Sequence, residues 1–395
     1  MDMRTEFTFY APVKIVTGEG ESRKLDEWMD AFGAKHVLLI TGRHVAKTEA
    51  FAQITKALDA KNRRYEVFAE CVPEPPMELV DALAERIRNS DVDLVTAVGG
   101  GSPMDTAKAV CMLKNNEGTI KEYLFGGSRT PQNPSVPLLC IPTTAGSGSE
   151  VSCASVIEDT SRNIKLSCTH PNLYAKAAIL DPLMQLEMPA SVTAGTGMDA
   201  LTHAIESFTS KNASVFSDIY ARAAIELIGK HLPIVMKEPD NRKSRMMMTQ
   251  ASSMAAIAMA NGGLGAIHGI SQAMGGIAHT PHGMTNAILL PKVMAYNYRG
   301  NLEKFAEIAK LLGVDTSKMS LEEAAQAAGE KVKALNREIG VPESVAGFGV
   351  SEQMFPEIVE GTMGYRLLWM NPIPFTEELT YQILRESLDE KKKAM

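Results

Sequence analysis

Up to about Pro182 the chain alternates short, apolar, β-branched runs with segments whose apolar residues recur every three or four positions. His36–Thr41, Leu94–Val98, Val136–Ile141 and Ala177–Leu180 have strand character, and Glu49–Ala60, Pro76–Ser90 and Pro103–Leu113 have helical character. Strands alternating with helices pair as a mainly parallel, doubly wound sheet. Beyond Asp181-Pro182 the strand pattern stops. The segments Ser214–Lys230, Arg242–Met259, Leu302–Leu312, Leu321–Ile339 and Thr376–Lys392 all carry the 3.6-residue period. The expected architecture is therefore an α/β N-terminal domain with a parallel sheet, residues 1–184, followed by an all-helical C-terminal domain, residues 185–395, with the boundary near Asp181–Thr193. A length of 395 residues suits two cores rather than one.

Composition narrows the classes of function. The net charge of −7, with no long Lys/Arg block, gives no electrostatic footprint for nucleic acid. The five cysteines are odd in number and contain no C-x-x-C, which fits a reducing cytoplasm better than a disulfide framework or a thiolate metal site. Asp2, Arg4 and Glu6 are not followed by an apolar run, so no secretion signal is expected. Met246–Pro291 has no Asp, Glu, Lys or Arg, a property shared with membrane spans. Its Asn261, Gln272, Asn286, three histidines and many glycines argue instead for a protein interior arranged around a ligand. The charged run Asp389–Lys393 is expected to be a solvated helix end.

Two loops carry phosphate-binding character. Leu94–Val98 runs into Gly99-Gly-Gly-Ser-Pro-Met-Asp105 and then a helix, where backbone N–H groups can cradle a pyrophosphate. Ser102 is the expected N-cap, Pro103 the first helical residue and Asp105 the return partner of a capping box. Met104 departs from the G-x-G-x-x-G pattern, so the loop is not the ordinary dinucleotide fingerprint. Pro142-Thr-Thr-Ala-Gly-Ser-Gly-Ser-Glu150 also follows an apolar strand and offers hydroxyls and backbone amides. Two such loops suit a long ligand such as a dinucleotide; the alternative is a tight turn without ligand for the first and a Ser/Thr-rich turn for the second.

Metal-ligand spacing appears further along. Asp199 and His203, four apart in Gly197-Met-Asp-Ala-Leu-Thr-His203, fall on one face of a helix. His268 and His282 stand at opposite ends of a glycine-rich part of the charge-free segment. Three imidazoles and one carboxylate suit iron(II) or zinc with a position left open for substrate oxygen. Taken singly, an Asp/His pair is more often a helix-surface hydrogen bond and a lone His in an apolar stretch more often a satisfied core residue.

With these four motifs in order, nearly the whole chain resembles the iron-containing (group III) alcohol dehydrogenases, and among them those of the lactaldehyde reductase and 1,3-propanediol dehydrogenase type. The resemblance is weaker at Phe9–Glu21 and around Asn371-Pro372. It implies a metal-dependent NAD(P)-linked alcohol dehydrogenase or aldehyde reductase acting on a small alcohol or aldehyde, and a homo-oligomer, with a dimer favoured. It implies metal binding by Asp199, His203, His268 and His282, with iron(II) ahead of zinc. It further implies cofactor contacts from Gly42, Gly99, Gly100, Gly101, Ser102, Asp105, Thr143, Thr144, Ser147, Ser152 and Lys165.

Three positions depart from the family pattern. NAD-preferring members carry an acid where this chain has Gly42; with Arg43 beside it, a 2′-phosphate is admitted and NAD against NADP stays open. Gln272 replaces a histidine of the proton path, which leaves His279, ordered water or ribose hydroxyls as proton carriers. Glu74 replaces an Asn that approaches the pocket. Two other readings remain at this stage. One is a lyase related to dehydroquinate synthase that uses transient oxidation, although the segment around His268 and His282 lacks the Lys and Arg a polyanionic substrate needs. The other is a non-enzymatic cofactor-binding protein.

Overall fold

The computed structural model describes residues 4–162 and 164–388, and the run Asp389–Lys393 lies outside them. The strands are β1 (Lys14–Thr17), β2 (His36–Gly42), β3 (Arg64–Cys71), β4 (Leu94–Gly99), β5 (Leu138–Pro142), β6 (Ala154–Asp159), β7 (Ile164–Thr169) and β8 (Ala177–Leu180). Between them lie the helices α1 (Leu25–Phe32), α2 (Glu49–Ala60), α3 (Met77–Arg88) and α4 (Gly101–Asn115). Then follow α5 (Ala190–Thr209), α6 (Val215–Lys237), α7 (Arg242–Gly262), α8 (Ala266–Ala278), α9 (His282–Asn297), α10 (Leu302–Leu311), α11 (Leu321–Glu338), α12 (Phe355–Met363) and α13 (Glu377–Leu388).

The chain forms two compact units: Ala11–Met188, and the described part of Pro189–Met395 together with that of Met1–Tyr10. In the first unit six strands make one sheet in the order β1-β8-β5-β4-β2-β3, every neighbouring pair parallel. The α/β character read from the sequence is thus observed. β4, β5 and β8 are buried along their whole length, which is why they read as continuous apolar runs. β3 is an edge strand whose side chains are mostly half-buried or exposed, and β1 is a short edge. Neither shows the apolar signal of a central strand. The antiparallel hairpin β6–β7 lies outside the main sheet, where its partly polar strands escape a strand-by-strand apolar search.

The second unit is helical. α5 is buried from Thr193 to Thr209 except at Thr196, and packs against α6, α7 and α9. The charge-free segment spans most of α7, all of α8 and the first ten residues of α9, and most of it is buried. Among the described residues no helix is long and apolar enough to cross a membrane.

Candidate metal centre and dinucleotide loops

The parallel pairing of β4 with β5 matches Gly99 with Pro142, so the two loops that follow leave the same edge of the sheet side by side. They touch: a Cβ on Gly100 would sit 3.2 Å from Thr144 Oγ1, and one on Gly101 would sit 3.2 Å from Ser147 Oγ. α4 begins at Gly101 with its N-terminal amides at this junction. The chain crosses from the edge strand β3 to β4 on the other side of β2, and this reversal puts the end of β2, at Gly42, beside the Gly99 loop.

The capping expected for α4 is not observed. Its N-cap is Gly100, no side chain caps it, and Pro103 is the third helical residue rather than the first. The side chains are engaged elsewhere. Ser102 Oγ accepts from Glu74 N (3.3 Å), and the Asp105 carboxylate accepts from Ser149 Oγ (2.6 Å) and Val156 N (3.0 Å). Asp105 therefore ties the second loop to α4 instead of closing a capping box. Burial raises the Asp105 carboxyl above the usual carboxylate range, and Lys108 and these hydrogen bonds only partly oppose it.

Lys108, one turn further on, was not singled out from the sequence. Its fully buried ammonium donates to Ser149 Oγ (2.7 Å), Ser152 Oγ (3.1 Å) and Ala154 O (2.8 Å) and lies 3.7 Å from Asp105. Its position three residues after Asp105, on the same helical face, was the available signal. Ser152, expected at the cofactor, is thus held by Lys108. Lys165, on β7, pairs with Glu74, which adopts a left-handed φ of 55°. Thr143 is buried, with its amide donating to Gly99 O (2.9 Å).

The metal motif assembles within the helical unit. Asp199 and His203 lie on α5, His268 is the third residue of α8, and His282 opens α9. The Nε2 atoms of His203, His268 and His282 stand 3.7, 3.8 and 3.7 Å from Asp199 Oδ1. Donor atoms of Asp199, His268 and His282 all lie within 4.8 Å of one another. The rings of His203 and His268 stack at 4.7 Å. A tetrahedral shell with bonds near 2.1 Å separates its donors by roughly 3.4 Å, so this nitrogen and oxygen set fits a divalent cation. The His282 side chain is 36% exposed against 2% for His268, which leaves one side open. Gly283 permits this assembly: a Cβ there would lie 2.4 Å from Gly195 O on α5.

Two further residues surround the donors. The Glu206 carboxylate lies 2.5 Å from His268 Nδ1 and also accepts from Ile267 N (2.8 Å). Asn286 Nδ2 donates to Asp199 Oδ1 (2.7 Å) and lies 3.3 and 3.2 Å from His268 Nε2 and His282 Nε2, while its buried Oδ1 has no hydrogen-bond partner among the described residues. Helical spacing could have found both, since Glu206 is seven residues after Asp199 and Asn286 four after His282.

Burial alone would raise the Asp199 carboxyl, but His203, His282, His268 and Asn286 hold it below the usual carboxylate range. Burial would likewise lower the His268 pKa, and Glu206 with Asp199 instead raise it. Gln272 and His279 are not members of the cluster. Gln272 is exposed on α8, and His279 is the exposed C-cap of that helix at φ 50°.

Comparison with known proteins decides what this arrangement belongs to. The model "Iron-containing alcohol dehydrogenase" matches residues 12–182, and "Fe-containing alcohol dehydrogenase family, C-terminal" matches residues 193–388. The chain belongs to the iron-containing alcohol dehydrogenase family. It is 35% identical to lactaldehyde reductase of Escherichia coli K12 over 88% of this chain and 90% of that one. The crystal structure of a 1,3-propanediol oxidoreductase matches with a TM-score of 0.92 at 32% identity, covering 97% of this chain and 100% of the other. Sulfoacetaldehyde reductase from Bifidobacterium kashiwanohense, solved in complex with NAD+, matches with a TM-score of 0.88 at 27% identity, covering 98% and 100%. The chain is thus an alcohol and aldehyde oxidoreductase of this metal-dependent family, and the lyase and non-enzymatic readings are not favoured.

Proposed function

We propose that the protein reduces a small aldehyde with a nicotinamide dinucleotide at a centre formed by Asp199, His203, His268 and His282, with the unit Ala11–Met188, rather than residues 1–184, binding the dinucleotide and the helical unit binding the metal and substrate. The observation that carries this reading is the convergence of three Nε2 atoms on Asp199 Oδ1 at 3.7–3.8 Å, partly open at His282. A bound iron(II), or zinc in its place, supplies Lewis acidity toward the carbonyl oxygen. The balance is aldehyde plus NAD(P)H plus one proton giving alcohol plus NAD(P)+.

The chain's own groups divide the remaining work. Gly99–Ser102, Thr143, Thr144 and Ser147 are assigned to the pyrophosphate and nicotinamide, because the two loops abut at the N-terminus of α4. Asp105 and Ser152 support that surface through their contacts with the second loop and Lys108. Lys165, held by Glu74, presents the cofactor with an ion pair rather than a bare ammonium. His279 is the titratable group proposed to carry the proton, with Gln272 as a polar, non-titrating neighbour on the same helix.

For the cofactor we favour acceptance of both NADH and NADPH. Gly42 offers no acid to repel a 2′-phosphate, a Cβ there would press on Cys71 O at 3.3 Å, and Arg43 follows it. A cytoplasmic homodimer fits the free cysteines and the family resemblance. The test is oxidation of NADH and NADPH with a panel of small aldehydes. Turnover with at least one aldehyde is expected, and none with either cofactor would overturn the reading.

A further inference from the structure

α8 presents a problem that its own sequence does not solve. Its N-cap is Gly265, which has no side chain to accept the first amides, yet Ala266 and Ile267 are buried. Other elements supply the acceptors. Asn371 Oδ1 takes the Ala266 N–H (3.2 Å), and Glu206 Oε1, from α5, takes the Ile267 N–H (2.8 Å). Glycine is needed at 265 because a Cβ there would lie 2.9 Å from Asn371 Oδ1 and 3.1 Å from Glu206 Oε1. The second Glu206 oxygen, Oε2, meets His268 Nδ1 at 2.5 Å. A carboxylate only accepts, so this contact places a hydrogen of His268 on Nδ1, and in the neutral imidazole that a metal requires it leaves the Nε2 lone pair free on the side of Asp199.

We infer that Glu206 is a positioning residue of the metal centre, fixing the Nδ1–H tautomer of His268 while anchoring the first turn of α8, so that one carboxylate sets both the orientation and the ligating nitrogen of that imidazole. Glu206, Asp199 and His203 share one face of α5, so a single helix places two ligands and the group that orients a third. The geometry requires an acceptor at both oxygens. A glutamine of the same shape has one acceptor and one donor, so it must direct its NH2 group at either the Ile267 N–H or the His268 ring. In the second case it favours the wrong tautomer, with Nε2–H aimed at the metal.

This inference rests on His268 being a ligand, and the experiment separates the two ideas. Zinc and cobalt(II) affinities of the full chain are measured by chelator competition for wild type, Glu206→Gln and His268→Ala, with the cobalt ligand-field spectrum and NADH affinity recorded beside them. Glu206→Gln is expected to weaken metal binding by about 10- to 100-fold and shift the cobalt bands, with NADH affinity unchanged. His268→Ala is expected to lose more. Loss of metal in His268→Ala with wild-type affinity and spectrum in Glu206→Gln overturns the role of Glu206 alone, whereas unchanged binding in His268→Ala overturns the ligand reading itself. Nitrogen-15 histidine spectra of the zinc-loaded wild-type protein decide the matter even if the variants fail to fold. A proton on His268 Nδ1 is expected, and its absence overturns the inference.

Discussion

Replacing Lys108 with Met removes a fully buried ammonium while keeping most of its volume. The cost follows from what the ammonium touches: Ser149 Oγ, Ser152 Oγ and Ala154 O lose a charged donor, and the half-buried Asp105 carboxylate loses the cation 3.7 Å away. Breaking a pair by removing one partner costs about 3–5 kcal/mol when the remaining charge is fully buried, an upper limit here because the Asp105 side chain keeps 14% exposure. For a unit of this size that lowers the melting temperature by roughly 6–20 °C. Adding Asp105→Asn removes the stranded carboxylate, so the double variant should regain about 1–3 kcal/mol relative to the sum of the single changes. The pH dependence has a definite sign. Asp105 already has a raised folded-state pKa, so the folded state holds its proton more tightly than the unfolded state. Its contribution is present below the unfolded carboxyl pKa and is lost as pH rises through the folded one. Without Lys108 the folded pKa rises further, so Lys108→Met should lose stability over a wider pH span than wild type. The assay is thermal unfolding across pH for the four proteins of the cycle. A Lys108→Met melting point within about 2 °C of wild type, with additive effects, would refute the argument.

Further outcomes follow from the same contacts. Burial pushes the thiols of Cys71 and Cys168 up to about 11 and Cys140 to about 12, and raises Cys111 as well, so thiolate is scarce at pH 8. Native protein should therefore label with a thiol reagent chiefly at half-buried Cys153, and all five cysteines should react after unfolding; fast native labelling of Cys111 or Cys140 would contradict this. Gly283→Ala forces a methyl against Gly195 O and should cost about 1–3 kcal/mol in thermal unfolding while weakening metal binding in a chelator titration. Gly42→Asp should shift the ratio of kcat/KM for NADH over NADPH toward NADH by roughly tenfold, measured by initial rates with one aldehyde. Asp199→Asn should lower zinc affinity by more than Glu206→Gln does in the same chelator titration, with NADH affinity unchanged.

Much of the fold was legible because its central strands are buried on both faces and its helices keep a clear period. β2, β4, β5 and β8 were found within two residues at each end, and α2 at both ends. What escaped was exposed or irregular. β3 and β1 lie on edges, so no apolar run marks them, and β6–β7 belongs to a separate small sheet. In the helical unit α8 and α9 were legible only as a charge-free, glycine-rich stretch, since up to Pro291 even their exposed positions, Gln272 among them, carry no charge to mark a polar face. Of the site, the converging donors came from spacing and resemblance, while Glu206, Asn286 and Lys108 did not. These three act through other side chains, and their partners are distant in sequence: Glu206 meets His268 62 residues away, and Asn286 meets Asp199 87 residues away. The capping box at Ser102 and Asp105 failed for a related reason. A local rule named the nearest partner, and the folded chain offered Glu74, Ser149 and Val156 instead.

Hydride transfer is expected to depend on one divalent metal per chain at the Asp199 cluster. The most direct test strips the protein with a chelator and titrates iron(II) back under anaerobic conditions, following aldehyde-dependent NAD(P)H oxidation against bound metal, with His268→Ala alongside. Turnover should be absent from the stripped protein, rise linearly to a plateau at one metal per chain, and stay absent in His268→Ala. Undiminished turnover by protein shown to be free of metal would contradict it.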